Sequence, residues 1–453
     1  MVHESNSLRS YVVRAGLSLL ALVFVSGVVF AEESLEDRVS ALEQKSDNFG
    51  FDKRPYLQND DGRFRIEFGA RLQARYTLQV KETRGSSGSE TSDESWAELE
   101  RARLSFRGNF FSKNLKYKVG TDGHGDSSGG DLALTDAYIK YVCPDTGIAI
   151  GAGQWKPFFG RQEQTSSAKQ LLVDRSMANE FFNIDRNIGI WLEQREKCGA
   201  DGLFNGYSWQ LAVSNGVDST NKNLGDGEFD QIPAVIAHFD VDIFGALGKD
   251  ALSAGDLKRR ESPGLTMGVS FVTDHNNDSG SVSPIPPLVG TPPEDIDSAT
   301  QYGVYQMAYD AVFKFAGFNV NGEYFQRWLD MDNETFASDS QFTHGGYIET
   351  GYMITDALQI VARASSIWDK DATGKSATEA GGGINYFFFK HNLKLSTDVV
   401  YLDIPTGMTM RTEELAGHTF DVATNGFDAF ASSSANLDEF QGIMLRVQAQ
   451  VNF

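Results

Sequence analysis

Residues 63–78, Arg-Phe-Arg-Ile-Glu-Phe-Gly-Ala-Arg-Leu-Gln-Ala-Arg-Tyr-Thr-Leu, alternate without a break between two kinds of side chain. The even positions are Phe64, Ile66, Phe68, Ala70, Leu72, Ala74, Tyr76 and Leu78; the odd ones are Arg63, Arg65, Glu67, Gly69, Arg71, Gln73, Arg75 and Thr77. A strand points successive side chains to opposite faces, so one face is wholly apolar and the other strongly cationic. A run of sixteen residues is long for a soluble strand, where ~5–6 is usual, and suits a tilted strand that crosses a bilayer and projects past it.

The pattern recurs along the chain. Further strands are expected near 99–110, 115–120, 132–141, 148–156, 187–194, 207–214, 232–239, 265–272, 302–315, 318–328, 346–354, 358–365, 378–388, 393–401 and 440–453, which makes sixteen with the first. Connectors after odd-numbered strands are mostly long (79–97, 157–186, 215–230, 273–300, 329–345, 402–439). Those after even-numbered strands are mostly short, such as Phe111-Ser-Lys-Asn114 and Ala316-Gly317, with exceptions at 195–206 and 240–264. Long loops at one end and tight turns at the other mark an outer-membrane barrel, whereas a β-sandwich predicts no such parity. The expected fold is all-β: a sixteen-stranded antiparallel transmembrane barrel over 49–453 with a short N-terminal helix.

Arg9 and Arg14 precede an apolar run, Ala15–Phe30, that closes at Val29-Phe30-Ala31 before two Glu. A basic region, a short apolar stretch and a small-x-small site predict a signal peptide over 1–31 and export. The run is shorter than the ~20 residues a spanning helix needs, and no later segment is apolar for long enough to form one. Leu35, Val39 and Leu42 then form a narrow helical stripe, so 32–48 reads as a short helix, either a coiled coil or a frayed tail.

A formal charge of −22 excludes a protein built to bind nucleic-acid backbones. The seven His show no paired-ligand spacing, and Asp330-Met-Asp-Asn-Glu334 lacks the spacing of a calcium loop, so no metal or cofactor is expected. The two cysteines, Cys143 and Cys198, fall in connectors at the same barrel end. An oxidising compartment favours a bridge between them, which the 195–206 connector would have to lean across to make.

Several segments resemble the phosphate-selective porin O and P family: Gly69-Ala-Arg-Leu-Gln73, Glu100-Arg-Ala-Arg-Leu-Ser-Phe106, Gly153-Gln-Trp-Lys-Pro-Phe158, Thr165-Ser-Ser167, Arg186-Asn-Ile-Gly189 and the terminal Phe453. The resemblance implies a homotrimeric porin in outer-membrane lipid whose third long loop folds into the pore. It also implies passive diffusion of small anionic solutes without chemistry, and insertion by barrel-assembly machinery that recognises Phe453. In phosphate-selective members an Arg matching Arg71 lines the constriction, two adjacent Arg follow on the second strand, and the loop carries Lys-x-Thr-Ser-Ser. Here Arg71, Arg101, Ser166 and Ser167 match, but Glu100 and Glu163 stand where the family has cations.

Reading inward faces off the alternation gives a lopsided lumen. Arg63, Arg65, Arg71, Arg75, Arg101, Arg103, Arg107, Lys116, Lys118, Lys140 and Arg446 project from the first four strands and the last, opposed there by Glu67 and Asp136. Basic walls in a narrow lumen favour anions. The acidic connectors 273–300 and 402–439 carry much of the net negative charge elsewhere. The expected anion path is Arg63, Arg71, Arg75, Arg101, Arg103, Lys118, Ser166 and Ser167, with phosphate or polyphosphate among the candidate solutes. A weakly selective general porin and a barrel-type phospholipase are the alternatives; the latter needs adjacent Ser and His on one face.

Overall fold

A computed structural model describes residues 48–52, 54–85, 88–126, 129–194, 206–215, 232–276, 302–331, 340–369, 376–405, 413–415, 418–420 and 439–453. The expected signal peptide and almost all of 32–48 lie outside these residues, as does Cys198; Cys143 is a free thiol among them. Residues 50–453 form one compact unit.

Its wall is sixteen strands: β1 (Arg65–Gly85), β2 (Gly88–Asn109), β3 (Leu115–Asp126), β4 (Gly129–Val142), β5 (Ala149–Trp155), β6 (Asn187–Gln194), β7 (Tyr207–Ser214), β8 (Ile232–Phe244), β9 (Gly264–Asn276), β10 (Tyr302–Phe315), β11 (Phe318–Met331), β12 (Ser340–Met353), β13 (Leu358–Asp369), β14 (Ser376–Phe389), β15 (Leu393–Ile404) and β16 (Glu439–Asn452). Each pairs antiparallel with the next, and β16 pairs with β1 from Glu439↔Arg84 to Asn452↔Arg71, closing the barrel. Phe453 seals the seam, exchanging two 3.0 Å backbone hydrogen bonds with Ala70. A closed sheet leaves no unpaired edge in the bilayer. The alternation is realised as expected: Leu72, Tyr76, Leu78 and Val80 face outward, while Gln73, Arg75, Thr77 and Gln79 are buried inside. No helix among the described residues is long and apolar enough to cross a membrane.

Three details differ from the alternation reading. Residues 79–97 are not a long loop: β1 and β2 run on for 21 and 22 residues, paired as far as Gly85↔Gly88. Arg63 precedes β1 in a turn, where its exposed guanidinium pairs with Asp61 at 2.6 Å, so it does not line the lumen. A β-bulge between Gln73/Arg101 and Ala74/Leu99 inserts one extra residue into β2. Such a residue flips the phase beyond it, turning both Glu98 and Glu100 toward the lumen.

The connector between β5 and β6 folds into the barrel, carrying α1 (Arg161–Gln164) and α2 (Met177–Phe182). Phe158, Phe159, Phe181 and Phe182 are 4, 0, 3 and 0 % exposed. Phe182 stacks on Phe325 of β11 at 5.3 Å, within a core that includes Ile367, Val400, Leu402 and Met444. Each aromatic buried this way contributes about 1.5–3 kcal/mol, which an exposed loop would forgo.

The far wall, β7–β15, holds this loop by its backbone. Glu323 accepts from the Arg161 and Gln162 amides, Glu379 from Met177 (2.6 Å) and Asp398 from Val173 (2.9 Å). Asn385 and Arg327 donate to the Leu171 and Phe181 carbonyls at 2.7 and 2.9 Å, and Arg161 pairs with Asp310 at 2.5 Å. Buried polar groups need partners, so these wall charges clamp the loop and do not face an open lumen. From the opposite end, the 245–263 connector crosses beneath the loop. Its Ala254 amide reaches the Lys169 carbonyl, and Lys314 donates to its Asp250, Ser253 and Gly255 carbonyls. The far half of the barrel is thereby filled.

Candidate pore constriction

What remains is a cavity of about 290 Å³ against β1–β6, bounded on its other side by the in-folded loop. Among the described residues, nine Lys and Arg line it against three side-chain carboxylates, Asp136, Glu163 and Glu193.

The loop is aimed by the motif that starts it. Gly153 has φ +122°, and a Cβ there would lie 2.2 Å from the Ala137 carbonyl oxygen, so only glycine fits. Gln154 donates to the Leu134 and Thr135 carbonyls (2.8 and 3.2 Å) beside a bulge in β4. Trp155 stacks on Trp191 at 4.4 Å, and Lys156 pairs with Glu163 and, at 3.6 Å, with Asp185. This brings the Thr165-Ser-Ser167 turn across the lumen to β1.

There Arg71 donates to the hydroxyls of Ser167 (2.6 Å) and Ser166 (2.8 Å), and to Asn452 at 3.3 Å. Arg103 also reaches Ser167, at 3.3 Å. The structure therefore brings together Arg71, Arg103, Ser166 and Ser167. It separates their electrostatics, however. Arg103 pairs with Asp122 at 2.5 Å and Lys118 with Asp136 at 2.9 Å. Arg75 meets Asp174 at 2.8 Å and Glu100 at 3.1 Å; Arg101 meets Glu100 at 2.9 Å. Arg446 is shared between Asp398 and Asp174, at 2.8 and 3.0 Å.

The expectation that only Glu67 and Asp136 oppose this wall is thus corrected. Glu98 and Glu100 enter through the bulge at Gln73/Ala74, Asp122 continues the inward face of Lys116 and Lys118 past residue 120, where β3 was expected to end, and Asp174 enters from the loop. Burial alone would raise the Asp174 pKa, but Arg75, Arg446 and Arg101 outweigh it and hold the carboxyl well below its ordinary range. It stays charged in mild acid. Among the described residues, Arg71 and Arg54 are the two cavity-lining cations that form no ion pair, their hydrogen bonds going to neutral partners. Arg54 lies outside every strand that the alternation identified.

The Ser and His that the phospholipase alternative needs do meet in the structure. His238 contacts Ser270 at 2.9 Å and Asp240 at 3.2 Å, a Ser-His-Asp chain on β8 and β9. Ser270 is 1 % exposed, and the Gly160 amide of the in-folded loop donates to its oxygen, so the chain is sealed from lipid and from the cavity. Asp330-Met-Asp-Asn-Glu334 falls mostly outside the described residues.

The family model for the phosphate-selective porin O and P matches residues 69–235, the stretch that holds Arg71, Arg101 and the in-folded loop. No curated protein matches the chain. Among solved structures it is similar to the outer membrane channel DcaP of Acinetobacter baumannii, at 13% identity over 88% of this chain and 99% of that one, with a TM-score of 0.50. It is also similar to an anion-selective porin from Comamonas acidovorans, at 8% identity over 85% and 99%, with a TM-score of 0.53. At these identities the likeness establishes the fold.

Proposed function

We propose that this chain, whose residues 69–235 match the phosphate-selective porin O and P family and whose fold is that of the outer-membrane porins, is a passive diffusion channel for small anions. After export and removal of residues 1–31 it resides in the outer membrane as a homotrimer inserted through its terminal Phe453, and it performs no chemistry. The observation that carries the anion reading is Arg71, a half-buried guanidinium at the narrowing with only neutral partners, in a cavity lined, among the described residues, by nine cations and three side-chain carboxylates. A narrow low-dielectric passage focuses the field of an uncompensated charge.

Tight phosphate selection is not part of this function. Stripping phosphate of water requires a dense set of charge-assisted donors. At the second-strand position Glu100 instead occupies Arg75 and Arg101. Broader passage of small anions, chloride and carboxylates included, fits the arrangement better.

Reversal potentials in asymmetric salt test the reading. Arg71→Ala should lower the anion-to-cation permeability ratio severalfold. Arg101→Ala should lower it less, because Glu100 and Asp174 already offset that charge. Equal effects would mean that compensation does not govern selectivity, and a wild-type pore without anion preference would favour the weakly selective general porin.

A further inference from the structure

We infer that Arg54, carried by a short strand that precedes the sixteen of the barrel wall, is a second anion-contacting position in the pore, on the short-turn side of Arg71. This rests on the reading that the pore conducts small anions.

Residues Arg54–Gln58 form a short strand paired antiparallel to the start of β1, with Tyr56↔Glu67, Leu57↔Ile66 and Gln58↔Arg65. The turn between them is closed by Asn59 and Phe64 backbone groups and by Gly62 at φ +66°. β16 leaves the edge of β1 at Asn452↔Arg71, so the N-terminal strand takes over that edge below the terminal Phe453. The same register carries Arg54 to the level of Gly69, an inward position of β1.

Gly69 is what lets the guanidinium in. A Cβ at residue 69 would lie 2.3 Å from Arg54 Nη1 and 2.8 Å from its Cζ, so any other residue would evict the side chain from this seat. Seated there, Arg54 donates to Ser105 at 3.3 Å and lines the same cavity as Arg71 and Arg103. Glu67, two residues along β1 from Gly69, is occupied by Arg65 at 3.0 Å and Arg107 at 2.8 Å. Arg54 therefore presents a half-buried guanidinium with no carboxylate partner among the described residues, one step along the lumen from Arg71. Two weak sites in series suit conduction, since an ion must be held well enough to enter and loosely enough to leave.

The test uses the full-length pore in planar bilayers. Arg54→Cys should show a smaller chloride conductance than wild type. A negatively charged methanethiosulfonate reagent should lower it further and a trimethylammonium one should raise it, while wild type, with its native cysteines, responds to neither. Gly69→Ala should reduce conductance as much as Arg54→Ala, and the double variant no further. A conductance that neither reagent changes in Arg54→Cys overturns the placement. Additive losses in the double variant overturn the seating by Gly69. A wild-type pore lacking anion preference overturns the anion reading instead, and leaves a reagent response in Arg54→Cys as evidence that this position lies in the path.

Discussion

Deleting residues 160–169, around Gln164, is expected to raise single-channel conductance severalfold and to lower anion preference at the same time. The two effects have one cause. The deleted stretch carries Ser166 and Ser167, which narrow the passage against Arg71, and it carries the Arg161 and Gln162 amides that Glu323 accepts. Removing it opens the filled far half of the barrel and uncovers Asp310 and Glu323, whose charges the loop now absorbs. The phenylalanines that anchor the loop, Phe159 and Phe182, lie outside or at the margin of the deletion, so α2 should stay docked on Phe325. Single-channel recording with a reversal-potential measurement reads both outcomes. A wider pore with unchanged selectivity would mean that the far-wall acids do not reach the path, and unchanged conductance would place the limiting constriction elsewhere.

Glu100 and Glu163 look equivalent in the sequence, as two carboxylates where the family has cations, yet their substitutions should diverge. Glu100→Gln is expected to raise the anion-to-cation permeability ratio severalfold, because it frees Arg75 and Arg101 of a partner each holds within about 3 Å. Glu100→Arg should raise it further, with Asp174 still charged to hold the enlarged cluster together. Glu163→Lys, by contrast, is expected to damage the loop. Glu163 is buried, pairs with Lys156, and sits 2.9 Å from Arg175. A lysine there would leave three cations in contact, and breaking a buried pair by removing one partner costs ~3–5 kcal/mol. Thermal unfolding of the purified barrel separates the cases: Glu100→Gln should melt close to wild type and Glu163→Lys well below it. Equal stability for the two would show that Glu163 faces water.

The sequence alone determined the barrel. The alternation of β1, the terminal Phe453 and the parity of connector lengths are local consequences of a strand having one face in lipid and one in water, and both faces can be read residue by residue. The fate of the 157–186 loop was legible too, since four phenylalanines in one connector have no stable place in solvent. The balance of charge in the lumen was not. A strict period of two counts Glu98 and Glu100 on the wrong face, and it has no means of placing a bulge, because one inserted residue is set by pairing between strands and not by local pattern. Nor could it assign Arg54, whose position depends on a glycine opposite it in the fold. The alternation also turns Asp310, Glu323, Glu379 and Asp398 of β10–β15 inward, but they hold backbone amides of the loop or pair with its side chains. Which charges are free is a property of three-dimensional pairing: Coulomb energy depends on distance, and the distances between β1, the loop and the far wall are decided only when the barrel closes.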